Sequence, residues 1–146
     1  MVASLRVKRS RHRTLAKPDI KPKRVKVGFP ASKASGSNIE KAIWNEFGTS
    51  RGIPERPFMR NAMRNNRRKY QDALKTSALK IVLGETTSHT VLNKLGILAQ
   101  GDIQGEITTL NTPPNAPSTI AAKGSSKPLI DTGEMRQAVT WALEND

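Results

Sequence analysis

The apolar residues of the chain follow a strand-like period at both ends and a helix-like period between them. Val25 and Val27 alternate with polar residues before Gly28-Phe29-Pro30, which predicts a short strand that ends in a turn. Residues 138–143 show the same alternation near the other end, with Val139, Trp141 and Leu143 on one side, as expected of a half-buried strand.

A long helix is predicted between these strands. Pro57 suits the first helical position, and Gly84 is a plausible stop. The helix would have about 26 residues and a length of roughly 39 Å, which is unusual in a small domain and suits a rod within an assembly. The residues that follow Phe58 at the three-to-four spacing of one helix face are Ala62, Tyr70, Ala73, Leu74, Ala78 and Ile81.

A second helical pattern runs from Val91 to Leu110, with Ser88 or Thr90 as its N-cap. Three glycines interrupt it, and each costs about 1 kcal/mol relative to alanine in a helix interior. The pattern therefore indicates either a broken helix or a straight one that packs closely against a neighbouring element. The three glycines are Gly96, Gly101 and Gly105.

The remaining segments have weaker signals. We interpret residues 39–47 as a short strand that stops at Gly48-Thr49, with a short helix as the alternative. Residues 31–38, 50–56 and 111–128 are small, polar or proline-rich and predict loops, and residues 132–137 form a helical turn at most. The fold class is therefore α+β, a small mixed domain over residues 25–146 with a short antiparallel sheet, a long helix and a second helix.

The charge of the chain is unevenly distributed. The 146 residues carry a net charge of +13, and ten Lys and Arg residues against the single acid Asp19 place +9 of it in the first 26 residues. Pro18 and Pro22 disfavour a continuous helix there, so residues 1–24 predict an extended basic arm. The arm residues expected to contact a partner or DNA are Arg6, Lys8, Arg9, Arg11, Arg13, Lys17, Lys21, Lys23 and Arg24.

Two partners suit this arm equally well. Its cations could neutralise phosphates in a salt-sensitive, sequence-independent way, or they could dock into acidic grooves of neighbouring protein subunits. A second basic cluster shares one face of the long helix by three-to-four spacing, where a solvated surface is the default and the lining of a charged channel is the alternative. Its members are Arg60, Arg64, Arg67 and Arg68.

The sequence contains no convincing set of catalytic or metal-ligating residues. His12 and His89 stand apart from any ligand cluster, and we expect no metal and no cofactor. The triplet Asp131-Thr132-Gly133 after two apolar residues matches the local signature of aspartic proteases. That chemistry needs two such aspartates and a large β-structure after the motif, whereas 13 residues follow Gly133. We therefore expect Asp131 or Thr132 to cap a helical turn.

Three features that the sequence lacks indicate where the protein is made. The chain has no cysteine, no secretory signal pattern and no apolar stretch of membrane-spanning length, so we expect an intracellular site of synthesis and no membrane partner.

Several segments together resemble small head–tail proteins of tailed bacteriophages. Residues 44–49 (WNEFGT) and 53–60 (IPERPFMR) are similar to the family's "EFGT … IPxRPFLR" pattern, and residues 129–136 (LIDTGEMR) are similar to its "DTG-x-L-R-x-S-I" segment. The PPNAPST stretch at 113–119, with Lys123-Gly124 and Lys127-Pro128, also resembles members of this family. The resemblance covers roughly residues 25–143.

The resemblance implies a virion structural protein of the head–tail junction, the neck. Such proteins form rings, commonly hexamers, between the portal or connector and the tail tube, and a tail-completion role is the leading interpretation. The alternatives are a tail terminator or other minor tail protein and, in another class, a non-specific nucleic-acid-binding protein. The protein would be made in the bacterial host cytoplasm, with packaged DNA as a further partner. The residues to which the resemblance assigns structural roles are Phe47, Gly48, Pro57, Phe58, Asp131, Thr132 and Gly133.

Overall fold

A computed structural model describes Pro18 and residues 20–145. The described residues form a mixed α+β domain, which confirms the predicted fold class. In chain order the elements are β1 (Arg24–Gly28), α1 (Gly36–Phe47), α2 (Phe58–Val82), α3 (Ser88–Thr109), α4 (Pro117–Lys123), α5 (Glu134–Gln137) and β2 (Thr140–Glu144).

The sheet joins the two ends of the described chain. β1 and β2 pair antiparallel, from Arg24 opposite Glu144 to Gly28 opposite Thr140. The pair packs on α3, where Trp141 lies against Gly96 and its indole Nε1 donates to the Asn93 Oδ1 at 3.0 Å. The absence of a side chain at Gly96 therefore lets the strand approach the helix closely.

The hydrophobic core lies where the first turns of α2 meet the second half of α3. Phe58, Ile103, Ile107 and Val139 are almost completely buried there, and the rings of Phe29 and Phe58 pack edge to face. The core continues along α2 and to the end of α3, and it extends to residues of α1, α5 and the segment before α5. These further members are Ala42, Ala62, Leu110, Leu129 and Met135.

The second half of α2 and the first half of α3 extend beyond this core as a helical hairpin. At the base of this hairpin the two helices are joined through Asp102 of α3, whose carboxylate accepts from the Tyr70 hydroxyl at 2.6 Å and from Lys69 Nζ at 2.7 Å. Towards the tip they enclose an open groove of about 700 Å³. The exposed apolar side chains of the hairpin include Leu74, Leu79, Val82, Leu83 and Leu98.

The strongest periodic signals are confirmed by the structure. Both terminal strands are present, and the long helix ends as predicted before Gly84, which adopts a left-handed φ of 73°. The second helix is continuous through its three glycines. Its N-cap is Thr87 rather than Ser88 or Thr90, because the Thr87 Oγ1 accepts from the Thr90 backbone N–H at 3.1 Å.

The strand predicted over residues 39–47 is wrong, and the helical alternative is confirmed. Ser35 caps the helix, since its hydroxyl accepts from the Asn38 N–H at 3.4 Å. Ala42 and Glu46, one helical turn apart, form the buried face. A strand would place these two residues on one side as well, but it would also bury Trp44 there, which is half-exposed.

Two predicted loops contain helical residues. α1 begins at Gly36, so the predicted loop at 31–38 is shorter than expected, and α4 lies within the predicted loop at 111–128. α4 is seven residues long and buries none of them, so it carries no apolar periodicity from which it could be predicted.

Candidate functional site

The quoted EFGT and IPERPFMR segments meet at a buried carboxylate, that of Glu46, which forms an ion pair with the half-exposed Arg60. Glu46, which is 4% exposed, accepts from the backbone N–H groups of Met59 and Arg60 at 2.9 and 3.1 Å. It also accepts from the Arg60 side-chain Nε at 2.9 Å. Pro57, the N-cap of α2, has no side chain that can accept a capping hydrogen bond. The Glu46 carboxylate from α1 provides this cap instead, and its negative charge is stabilised by the positive end of the helix dipole.

The loop between α1 and α2 is tight because of Gly48. Its φ is 70°, and a Cβ built on it would come within 3.0 Å of the Ile53 carbonyl oxygen and the Glu55 nitrogen. The loop closes through Thr49, which donates its N–H to the Ile53 carbonyl at 2.9 Å and accepts the Ile53 N–H on its hydroxyl at 3.2 Å. Gly48 is therefore a turn glycine, as the resemblance implies.

Arg56 ties the PPNAP stretch to this junction. The side chain is 3% exposed and donates to the carbonyl oxygens of Pro113 and Pro114 at 2.7 and 3.0 Å. It also donates to the amide oxygens of Asn45 and Asn115 at 3.3 and 3.1 Å. Burial lowers the pKa of Arg56 from its ordinary value, and four oxygen acceptors compensate the lost hydration. Neither Glu46 nor Arg56 has a role that the sequence predicts, although both lie inside the quoted motifs.

Arg60 differs from the other arginines of its predicted cluster. It is bound to Glu46 and Glu55, and its guanidinium lies 5.2 Å from the centre of the Phe47 ring. The hydrogen bonds that Arg60 donates to the carboxylates of Glu46 and Glu55 raise its pKa above the ordinary value. Arg64, Arg67 and Arg68, by contrast, project into solvent. The four arginines therefore share a helix face but not an environment.

An exposed apolar surface lies beside this junction; we call it the α1 patch. Phe47 is 65% exposed and Ile43 50%, with Trp44 and Met63 also open to solvent. Phe29, Ile39 and Met59 help to line a groove of about 620 Å³ between α1 and the start of α2. The predicted motif residue Phe47 thus lies on the surface, whereas Phe58 is the core anchor.

The middle of α2 is fixed to α3 by a polar contact rather than by apolar packing. Burial, followed by the hydrogen bond to the Asp102 carboxylate, raises the pKa of Tyr70 above its ordinary value. Lys69 shares the same carboxylate. Tyr70 was predicted as part of an apolar face, and the structure adds the role of its hydroxyl.

The Asp131-Thr132-Gly133 segment lies in the turn that begins α5. Asp131 and Thr132 are exposed, and the N-cap of α5 is Gly133 with a φ of 83°, which corrects the predicted cap. Thr132 still contributes, because its hydroxyl accepts from the Glu134 N–H at 3.4 Å. The turn directs Met135 into the core, where it is 7% exposed.

Most of the predicted arm lies outside the described residues, including Arg6, Lys8, Arg9, Arg11, Arg13 and Lys17. Lys21 and Lys23 are exposed, and Arg24 is the first residue of β1. Pro22 is buried, its carbonyl accepts from the Ser88 hydroxyl, and the Lys23 N–H donates to the Glu144 carbonyl at 2.9 Å. Residues 22–24 are therefore attached to the domain.

Two further observations concern other kinds of site. Over Pro18 and residues 20–145, no group of three His, Asp or Glu side chains is arranged to hold a metal ion. None of the helices in the same residues is both long enough and apolar enough to span a membrane.

Comparisons with known proteins give no relative. No protein-family model, no curated protein and no solved structure matches the chain.

Proposed function

We propose that the protein is a structural subunit of the bacteriophage head–tail junction, a tail-completion protein that forms a ring joining the connector to the tail tube. One observation carries the proposal: three of the four segments that resemble the family are joined to one another in space. Glu46 of the EFGT segment caps the helix that begins in the IPERPF segment, and Arg56 of that segment holds Asn115 of the PPNAP stretch. Such mutual contacts are expected of one inherited structural unit rather than of chance matches.

The α1 patch supports assembly from copies of this chain. Phe47, Ile43 and Trp44 stand on a helix that is fixed to α2 by the buried Glu46, so the patch has a rigid support. Fully burying one such side chain contributes roughly 1.5–3 kcal/mol, and clustered exposed apolar residues are typical of interaction surfaces. In the proposed ring, a second copy covers this patch in a head-to-tail contact, which closes when the rotation per subunit allows it.

Measuring the mass of the purified full chain in solution tests the proposal, with light scattering coupled to size-exclusion chromatography. We expect an oligomer for the unmodified chain and a shift to monomer for the double variant Trp44→Ser/Phe47→Ser. The control variant Ile97→Ser removes a half-exposed apolar side chain of α3 and should keep the oligomer.

Two results would contradict this proposal. A chain that stays monomeric at every concentration, alone and with tail-tube or portal proteins, would exclude the ring. Absence of the protein from purified mature virions, measured by mass spectrometry of the particles, would exclude the virion location.

A further inference from the structure

The exposed side of α2 carries positive charge that the fold does not use. Seven of its 25 residues are Lys or Arg, and Asp72 is its single acid. Two of the seven are engaged by other elements, since Arg60 is bound to Glu46 and Glu55 and Lys69 to Asp102. The charge that remains lies mainly on the side of the helix away from α3.

Four cations and one amide form this face, which we call the α2 stripe. At 100° per residue they fall within about one third of the helix circumference, and Arg64 and Lys75 are roughly 17 Å apart along the axis. All of the side chains are exposed. The stripe consists of Arg64, Arg67, Arg68, Gln71 and Lys75.

The positive charges of the stripe are hardly neutralised by nearby acidic side chains. Within the described residues, its one ion pair joins Arg68 to Asp72 at 4.0 Å, with side chains 95% and 63% exposed, and such an exposed pair contributes little. Arg64 lies three residues before Arg67 and four before Arg68, and like charges at these spacings destabilise a helix by about 0.2–0.5 kcal/mol per pair. Residues 1–17, 19 and 146, which the structure does not describe, add six basic side chains and two acids, Asp19 and Asp146. Folding alone therefore gives no reason for the stripe.

We propose that the α2 stripe binds the sugar–phosphate backbone of double-stranded nucleic acid. Guanidinium groups match phosphate oxygens by two parallel hydrogen bonds, and amide side chains such as Gln71 are further donors to phosphate. A duplex presents one charge per about 1.7 Å of axis, so a straight stripe of this length meets several phosphates. The stripe has no aromatic side chain on which a single-stranded base could stack, which favours a duplex over a single strand. Contacts to phosphates do not read the bases, so the binding is independent of sequence.

This inference does not depend on ring formation, and the experiment separates the two. Binding of the full chain to a labelled duplex of arbitrary sequence is measured by fluorescence anisotropy between about 50 and 200 mM salt. The test variant is Arg64→Gln/Arg67→Gln. The matched control, Arg51→Gln/Lys94→Gln, removes the same charge from exposed positions outside the stripe. The solution mass of each protein is recorded alongside, so that a change in assembly is seen separately.

We expect the slope of log K against log salt to become shallower by about 1.8 in the test variant, since each phosphate contact contributes about 0.9. Affinity at about 0.1 M salt should fall roughly 60-fold if it is unchanged at about 1 M. The control should retain the slope, and the test variant should keep or increase its melting temperature because like-charge repulsion is relieved. Equal slopes for the unmodified chain and the test variant, or equal losses in test and control variants, would overturn the inference.

Discussion

At the scale of the residue, buried charges organise the junction between α1, α2 and the PPNAP stretch. The carboxylate of Glu46 replaces the side-chain cap that Pro57 cannot provide. The guanidinium of Arg56 donates hydrogen bonds to carbonyl oxygens 57 and 58 positions further along the chain. Sequence reasoning could not find these roles. Charged residues are mostly exposed, and local spacing holds no information about acceptors so distant in sequence.

Replacing Glu46 with alanine should destabilise the domain by about 2–3 kcal/mol, because the two N–H groups at the start of α2 lose a charged acceptor in a buried site. Chemical denaturation followed by circular dichroism measures the change. Glu40→Ala, at an exposed position of the same helix, is the control and should stay within about 0.5 kcal/mol of the unmodified chain. Equal stability of both variants would show that Glu46 is not the cap of α2.

At the scale of the element, sequence periodicity predicts those elements whose apolar face is the buried face. This holds for β1, where Val25 and Val27 are less exposed than Arg24 and Lys26, and for α3, where Ala99, Ile103 and Ile107 are buried at helical spacing. In β2 all five residues are half-buried, so its burial does not alternate. The prediction fails for α1, because its large apolar residues Ile43 and Phe47 are exposed while the smaller Ala42 is buried. An exposed apolar surface therefore misleads a prediction that assumes apolar residues face the chain's own core.

The glycines of α3 give a test of close packing between elements. A methyl group at Gly96 would collide with the indole ring of Trp141, whereas one at Gly101 meets open space. Gly96→Ala should destabilise the domain by about 1–3 kcal/mol through overpacking, and Gly101→Ala should stabilise it by roughly 0.5–1 kcal/mol through helix propensity. Thermal melting of both variants measures the two effects. Stabilisation by both substitutions would contradict the close approach of β2 to α3.

At the scale of the whole molecule, the candidate surfaces are distinct but adjoin at Arg64, which belongs to the α2 stripe and also lines the groove of the α1 patch. The α1 patch stands beside the core, the α2 stripe runs along the exposed side of the long helix, and the hairpin extends beyond the core. Helix spacing predicts the basic cluster as one set, but the structure separates Arg60, which is paired with Glu46 and Glu55, from the arginines that face solvent. That separation depends on where Glu46 and Glu55 lie in space, which helix periodicity does not specify.

The pairing of β1 with β2 makes the integrity of the domain depend on its last residues. A chain that ends after Gln137 lacks β2, the completely buried Val139 and the Trp141 indole that covers Gly96. Truncation of a buried aliphatic side chain alone costs about 2–5 kcal/mol, and the whole stability of a domain is about 5–15 kcal/mol. β1 would also lose its partner strand, and an unpaired strand is not stable in water.

We therefore expect the chain truncated after Gln137 to lose its cooperative thermal transition, measured by circular dichroism, and to be degraded rapidly by added protease. A chain truncated after Glu144 keeps both strands and should melt at the temperature of the unmodified chain. If the shorter chain melted cooperatively at that temperature, the helices alone would form the domain. The sheet would then be an accessory that closes over α3 rather than a part of the folding unit, and the predicted single domain over residues 25–146 would end earlier than proposed.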